Sequence, residues 1–120
     1  MFELMITDTI AAAHFLRGYK GRCENLHGHT WKIEVVLVSD KLDELGMVYD
    51  FSELKLMLKG ILSGLDHQCL NDLPQFQDIN PTTENMAKYI YYEFARKING
   101  IKVKEVRVWE SDTASAVYYE

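Results

Sequence analysis

Apolar side chains recur at every second position in two stretches of the chain, the spacing of β-strands with one covered face. In residues 2–14 the in-phase positions are Phe2, Leu4, Ile6, Ile10, Ala12 and then His14. Around residues 30–38 they are Trp31, Ile33, Val35 and Leu37, preceded in the same parity by His27 and His29. The pattern predicts two strands that carry three histidines on one face.

Two later stretches have helical spacing. In the first, Asp50 is placed to cap a helix with Leu54, Met57, Leu58, Ile61 and Leu62 on one side, and Gly64 is a stop signal. In the second, Thr82 or Thr83 caps a helix that runs to about Lys97. Between them, residues 66–81 read as a polar connection that holds both prolines.

The end of the chain predicts two more strands, residues 101–109 and 114–119, joined by a turn around Ser111 and Asp112. The order strand, strand, helix, helix, strand, strand predicts an α+β fold, with a four-stranded antiparallel sheet and both helices on one face. A chain of 120 residues is expected to form one domain, residues 1–120. Val36, Val38 and Tyr119 fall on the other sheet face, which we therefore expect an oligomer to cover.

Composition narrows the class of protein. With 48% hydrophobic and 26% charged residues, the sequence is typical of a soluble globular domain. Its formal charge of -5 offers no basic field for a phosphate backbone, so we expect no nucleic-acid partner. The acidic start and the lack of a long apolar run predict neither a signal peptide nor a membrane span. Two cysteines suit reduced thiols, and we expect a cytoplasmic protein.

The three in-phase histidines have the arrangement of a metal site. In an antiparallel hairpin the end of the first strand lies beside the start of the second, so His14 would neighbour His27 and His29. Three imidazoles without a fourth protein ligand match a catalytic zinc site, where one position stays open for water or substrate. Imidazole also binds iron and other divalent ions, and histidines in such patterns are often ordinary core or surface residues.

The loop between these strands, residues 15–26, is longer than the usual hairpin connection of about 2 to 5 residues. It carries Cys23, four positions before His27, together with Arg17, Lys20 and Arg22. Nearby cations and a metal would favour a thiolate that acts as base or nucleophile. The residues alone leave two further roles equally open for Cys23, a fourth zinc ligand or an unreactive thiol.

Three other ionisable residues stand out. Asp66 and His67 are adjacent beyond the first helix, and because neighbours on an extended chain diverge, they would orient each other only across a turn. His67 is as well explained by a favourable interaction with the helix dipole as by catalysis. Glu110 is in phase with buried valines, so it needs a partner. That partner is either a ligand with two parallel N–H groups or an arginine, Arg107 or Arg17.

Taken together, these motifs resemble the 6-pyruvoyl-tetrahydropterin synthase superfamily over nearly the whole chain. The matching segments are Ala12–His14, Cys23–His29, Gly46–Phe51, Leu65–His67, Leu70–Asn71, Pro81–Asn85 and Glu110. The three residues between Cys23 and His27 favour the branch that forms 6-carboxy-5,6,7,8-tetrahydropterin in queuosine biosynthesis. That branch is a lyase acting on a pterin, converting 7,8-dihydroneopterin triphosphate and water to this product, acetaldehyde and triphosphate.

The resemblance also implies roles for individual residues. It implies Zn²⁺ held by His14, His27 and His29, with Cys23 as general base. Asp66 and His67 match a proton relay, Glu110 matches the anchor of the pterin ring, and Thr82 and Thr83 match pterin contacts. Arg17, Lys20 and Arg22 are candidates to meet the triphosphate.

The implied assembly is a T-fold trimer whose sheets close into a barrel, with trimers paired into a homohexamer and active sites between subunits. Two rival functions remain. One is a related pterin enzyme that forms the 6-pyruvoyl product or cleaves the side chain to a 6-hydroxymethyl product. The other is a noncatalytic module that binds zinc with Cys23 as fourth ligand.

Overall fold

A computed structural model describes the backbone of residues 1–120 and every side chain except that of Cys23. Its strands are β1 (Phe2–His14), β2 (His27–Ser39), β3 (Lys102–Ser111) and β4 (Ala114–Tyr119). Its helices are α1 (Phe51–Leu62) and α2 (Thr83–Lys97). Short 3-10 turns occur at Arg22–Glu24, Leu70–Asp72 and Pro74–Phe76.

The four strands form one antiparallel sheet in the order β1-β2-β3-β4. In the β1–β2 register, His14 lies opposite His27 and Ala12 lies opposite His29. The sheet and its two helices confirm the predicted architecture. The strand β2 begins at His27 itself, so the histidine pair belongs to the strand and its side chains keep the parity of Trp31.

The core lies between the sheet and the two helices. Trp31, Ile33 and Val35 of β2 are fully buried and meet residues such as Leu58 of α1 and Phe94 of α2. Both helices begin where capping predicted, because the side chain of Asp50 accepts from the Ser52 N–H and that of Thr82 accepts from the Asn85 N–H. Neither α1 nor α2 combines the length and the apolar character that a bilayer-crossing helix requires.

The connection between the helices differs from the predicted polar loop. Its residues Leu65, Leu70 and Phe76 are fully buried in the core. Its backbone docks against the end of β1, where the His67 N–H donates to the Ala11 carbonyl at 2.6 Å. The edge strand β1 offers unpaired backbone groups that this segment satisfies. Two 3-10 turns follow the docked residues, and such short turns leave little trace in hydrophobic periodicity.

Asn71 joins this connection to the residue that follows His14. Its side chain is 4% exposed. Its Oδ1 accepts from the Phe15 N–H at 2.9 Å, and its Nδ2 donates to the Phe15 carbonyl at 2.9 Å. A single side-chain amide thus continues the pairing of β1 beyond its last residue and fixes the chain directly after His14.

Replacing Asn71 with alanine is expected to lower the free energy of unfolding by about 1–3 kcal/mol, because two backbone groups of Phe15 lose their partner in a part-buried place. Urea denaturation of the metal-free protein measures the change. Asn99→Ala, which removes an exposed amide, is the matched control and should shift the value by less than about 0.5 kcal/mol. Equal effects of the two substitutions would contradict a special role for the Asn71 amide.

The sheet face turned away from the helices carries the apolar residues expected there. Val36, Val38 and Val117 are half-buried, and Tyr119 is 68% exposed. The strands β1 and β4 are the two edges of the sheet. The covering of this face by an oligomer stays a prediction.

Candidate metal centre

The three histidines of β1 and β2 converge as their parity predicted. The ring centroid of His14 lies 4.5 Å from that of His27 and 5.2 Å from that of His29, and the latter two centroids are 4.8 Å apart. One ligand atom from each histidine, together with a Glu110 oxygen, fits in a cluster whose atoms all lie within 4.8 Å of one another. The end of the hairpin therefore presents a compact set of nitrogen and oxygen donors.

Two of the rings are oriented by backbone carbonyls. The Nδ1 of His14 lies 2.8 Å from the Pro81 carbonyl oxygen, and the Nδ1 of His27 lies 2.7 Å from the Asn25 carbonyl oxygen. A carbonyl oxygen only accepts, so each Nδ1 must carry the proton. In the neutral ring the lone pair is then on Nε2, which is the form that binds a metal.

The histidine cluster contains unsatisfied acceptors that a metal ion would satisfy. The Nε2 atoms of His14 and His29 are buried, and no group among the described residues makes a well-directed hydrogen bond to them. Burial disfavours the charged imidazolium, and it lowers the pKa of both His14 and His29 below the usual 6.5. Buried, neutral imidazoles with unpaired lone pairs are costly unless a cation occupies the space between them. The donor set therefore fits a divalent ion such as zinc.

Trp31 forms a wall behind the cluster. Its ring packs edge-on against His14 at 4.9 Å and against His29 at 5.0 Å between centroids. The indole Nε1 donates to the Ala12 carbonyl at 3.1 Å, which fixes the ring against β1. Since Trp31 has no exposed surface, the metal-facing side of the histidines is reached from the end of the sheet rather than through the core.

Glu110 supplies the oxygen of this cluster, and none of the described arginine side chains pairs with it. Its Oε1 is 3.0 Å from the Nε2 of His29, although that contact lacks the direction of a hydrogen bond, and its Oε2 accepts from the Thr83 hydroxyl at 3.2 Å. The suggested pairing with Arg107 or Arg17 is wrong, because the Arg107 guanidinium contacts Ser115 and Glu105 while Arg17 lies elsewhere. The Glu110 carboxylate is therefore free to ligate a metal or a substrate beside it.

Asp66 and His67 do orient each other. His67 has a left-handed backbone, with φ at 60°, and this turn brings its Nδ1 to 2.9 Å from the Asp66 Oδ1. The turn that mutual orientation of these neighbours requires is therefore present. The Ala11 N–H donates to the same carboxylate oxygen at 2.9 Å, and this bond is the main cause of the lowered pKa of Asp66. The His67 side chain is 81% exposed and is not a member of the metal cluster.

The basic residues of the loop divide into two groups. The Arg17 guanidinium donates to the carbonyls of Phe76, Ile79 and Asn71 at 2.9, 3.1 and 3.1 Å. It therefore holds the loop against the connection between the helices, which leaves fewer of its N–H groups for a triphosphate. Lys20 and Arg22 are exposed and stay candidates for that contact. The predicted base, the thiol of Cys23, lies outside the described side chains.

The sequence pattern does not indicate which residues orient the histidine rings. The motif that contains Pro81 is evident in the sequence, but the contact to His14 is made by the backbone carbonyl of Pro81 and not by a side chain. A carbonyl has no signature in residue types. The one available signal was the presence of Asn80 and Asn85 on either side of the Pro81–Thr82 pair, since asparagine is frequent where side chains bond to backbone.

Comparison with known proteins agrees with the geometry. Residues 3–120 match the family model described as 6-pyruvoyl tetrahydropterin synthase. A Bacillus subtilis protein named 6-carboxy-5,6,7,8-tetrahydropterin synthase is 36% identical over 98% of this chain and 84% of its own. A Pyrococcus furiosus dihydroneopterin monophosphate aldolase is 38% identical over 74% of each chain. The solved structure of Caenorhabditis elegans 6-pyruvoyl tetrahydropterin synthase superposes with a TM-score of 0.89 at 26% identity, covering 99% of this chain and 95% of the other.

Proposed function

Because the chain belongs to the 6-pyruvoyl tetrahydropterin synthase family, we propose that it converts 7,8-dihydroneopterin triphosphate and water to 6-carboxy-5,6,7,8-tetrahydropterin, acetaldehyde and triphosphate. Relatives from Aquifex aeolicus and Bacillus subtilis that carry the corresponding name are 34% and 36% identical to it. The observation that carries the proposal is the pair of buried Nε2 atoms of His14 and His29, which have no hydrogen-bond partner among the described residues and lie beside the Glu110 carboxylate.

His14, His27 and His29 would hold the metal, which we propose is zinc. Zinc in this position supplies Lewis-acid polarisation of substrate oxygens, so that protons on the neighbouring carbons become more acidic. The rings are suited to hold it because the carbonyls of Pro81 and Asn25 fix two of them with Nε2 free. No reorientation of these two side chains is then needed when the ion enters.

Glu110 would bind the pterin ring. A carboxylate accepts two parallel N–H groups, such as the amino group and ring N–H of an aminopyrimidine edge, in a bidentate pair. The Thr83 hydroxyl already donates to one of its oxygens, and Thr83 is itself buried in the first turn of α2, so the carboxylate is held in place. Thr82 is the N-cap of α2, where its hydroxyl oxygen accepts a hydrogen bond from the Asn85 N–H. The hydrogen of this hydroxyl is therefore still able to donate to a ligand.

Proton transfer would involve Cys23 and His67. We propose that the Cys23 thiolate removes a proton from a side-chain carbon, as its place on the loop before His27 suggests. His67 would return a proton at another carbon. The Asp66 carboxylate receives the Nδ1–H of His67, which leaves Nε2 as the atom that exchanges the proton with substrate.

The exposure of His67 bears on the assembly. A relay histidine that is 81% exposed on one chain gains a defined environment when a second subunit covers it. We propose trimers whose sheets close through the edges β1 and β4 into a barrel, paired into hexamers, with each active site shared between subunits. We also assign the reaction to queuosine biosynthesis in the cytoplasm.

A product assay tests the function. Purified, zinc-loaded protein incubated with 7,8-dihydroneopterin triphosphate should release acetaldehyde in equal amount to 6-carboxy-5,6,7,8-tetrahydropterin, measured by chromatography and an aldehyde-trapping reagent. Protein stripped with a chelator should lose this activity, and added zinc should restore it. Formation of the 6-pyruvoyl product without acetaldehyde would overturn the proposal in favour of the 6-pyruvoyl synthase reaction.

A second candidate function is side-chain cleavage to a 6-hydroxymethyl pterin. The aldolase from Pyrococcus furiosus favours it, since that protein is as similar in sequence as several named 6-carboxy synthases. The same assay distinguishes it, because cleavage yields a 6-hydroxymethyl pterin and no acetaldehyde.

A further inference from the structure

The Pro81 carbonyl, which orients His14, belongs to a loop segment whose backbone is fixed by several hydrogen bonds. This segment, residues 79–82, passes directly behind the metal cluster and leads into α2. The Pro81 carbonyl contacts the His14 ring, and Pro81 is buried. Where that carbonyl points decides which nitrogen of His14 keeps its proton, and hence which nitrogen faces the other two histidines.

The backbone before Pro81 is fixed by Asn80 and Asn85. The Asn80 carbonyl accepts from the Asn85 Nδ2 at 2.8 Å, which sets the plane of the Asn80–Pro81 peptide. The Asn80 side chain exchanges two hydrogen bonds with the backbone of Arg17, at 2.9 and 3.0 Å. The pyrrolidine ring of Pro81 fixes the φ angle of this residue, so the backbone cannot rotate about the bond that follows the Asn80–Pro81 peptide.

The backbone after Pro81 is fixed by the start of α2. Thr82 is the N-cap, and its hydroxyl accepts from the Asn85 N–H at 3.1 Å while its carbonyl accepts from the Met86 N–H at 2.9 Å. The peptide planes on both sides of Pro81 are therefore held, and Asn85 takes part on both sides. Its backbone contacts the cap and its side chain contacts Asn80.

We propose that Asn85 is a positioning residue for the metal ligand His14, acting through the Asn80–Pro81 peptide to hold the imidazole with Nδ1 protonated and Nε2 directed into the cluster. This inference rests on the proposed zinc site. It goes beyond that site because it assigns a function to a half-buried amide that contacts Asn80 and Thr82 and is not one of the metal donors. Loss of such an outer contact typically weakens metal binding by about 10- to 100-fold.

The substitution Asn85→Asp separates this role from helix stability. Aspartate has the same shape but no N–H to donate, so its charged oxygen would face the Asn80 carbonyl and repel it. At the third position of α2 the added negative charge favours the helix, so the fold keeps its stability. A negative charge near the site would by itself favour zinc, so weaker zinc binding would come from the lost orientation.

The experiment measures zinc binding and the tautomer of His14 in the full chain. Competition with a chromophoric chelator should give a zinc dissociation constant at least about 10-fold higher for Asn85→Asp than for the wild type. Long-range ¹⁵N–¹H spectra of the metal-free proteins should show His14 protonated on Nδ1 in the wild type and a mixture of both tautomers in the variant. Asn99→Asp, the same change at an exposed position, should alter neither quantity.

The outcomes are separable. An unchanged dissociation constant with an unchanged His14 tautomer in Asn85→Asp would overturn the inference. If Asn85→Asp does not fold, Asn85→Ala, which removes the donor without adding charge, takes its place in both measurements. If the wild type binds no zinc, the proposed zinc-dependent function is contradicted. The comparison of the His14 tautomer between wild type and variant then decides by itself whether Asn85 positions His14.

Discussion

Replacing His29 with alanine is expected to weaken zinc binding by at least about 100-fold and to lower turnover by at least the same factor. A zinc site worth about 10–16 kcal/mol, divided among four ligand positions, loses roughly 3 kcal/mol or more when one protein ligand is removed. The loss is large because the Nε2 of His29 is buried among the other donors and has no hydrogen-bond partner in the described part of the chain. Elemental analysis after gel filtration measures the metal, and the product assay measures turnover.

The chain offers a matched control in its fourth histidine. His67 lies outside the metal cluster and is exposed, so His67→Ala should keep one zinc per chain while it also lowers turnover. The two variants therefore lose activity for different reasons. His29→Ala loses the metal, whereas His67→Ala keeps the metal and loses the proposed proton relay. Retention of full zinc by His29→Ala would contradict the assigned ligand set, and loss of zinc from His67→Ala would show that His67 is a ligand.

The metal cluster could be predicted because its geometry follows from strand parity. His27 and His29 project to one side of a strand for the same reason that Trp31 and Ile33 do, and an antiparallel neighbour must bring His14 alongside. Period-two patterns persist over 13 residues in each of β1 and β2, so the signal is long and the register follows from the buried face. Burial then lowers the pKa of His14 and His29, which favours their neutral, metal-binding form.

The rest of the site depends on irregular backbone, which leaves a weaker trace in sequence. Asp66 and His67 orient each other only because of the left-handed turn at His67, and nothing in the residue type requires that turn. The three carbonyls that occupy the Arg17 guanidinium belong to the connection between the helices, and their directions are set by short turns. The sequence pattern accordingly indicated no role for the side chains of Asn71, Asn80 and Asn85, which bond to backbone in this region.

The second large effect is expected from Cys23→Ala, which should keep zinc and the fold but lower turnover by about 10²- to 10⁴-fold, the usual cost of losing a general base. We assign the metal to His14, His27 and His29, whose ligand atoms converge without the thiol, so zinc is expected to stay bound when Cys23 is replaced. Circular dichroism, zinc content and the product assay are measured together. Cys69→Ala removes the other cysteine and should leave all three unchanged. Release of zinc with unfolding in Cys23→Ala would instead favour the noncatalytic zinc module, in which Cys23 is the fourth ligand.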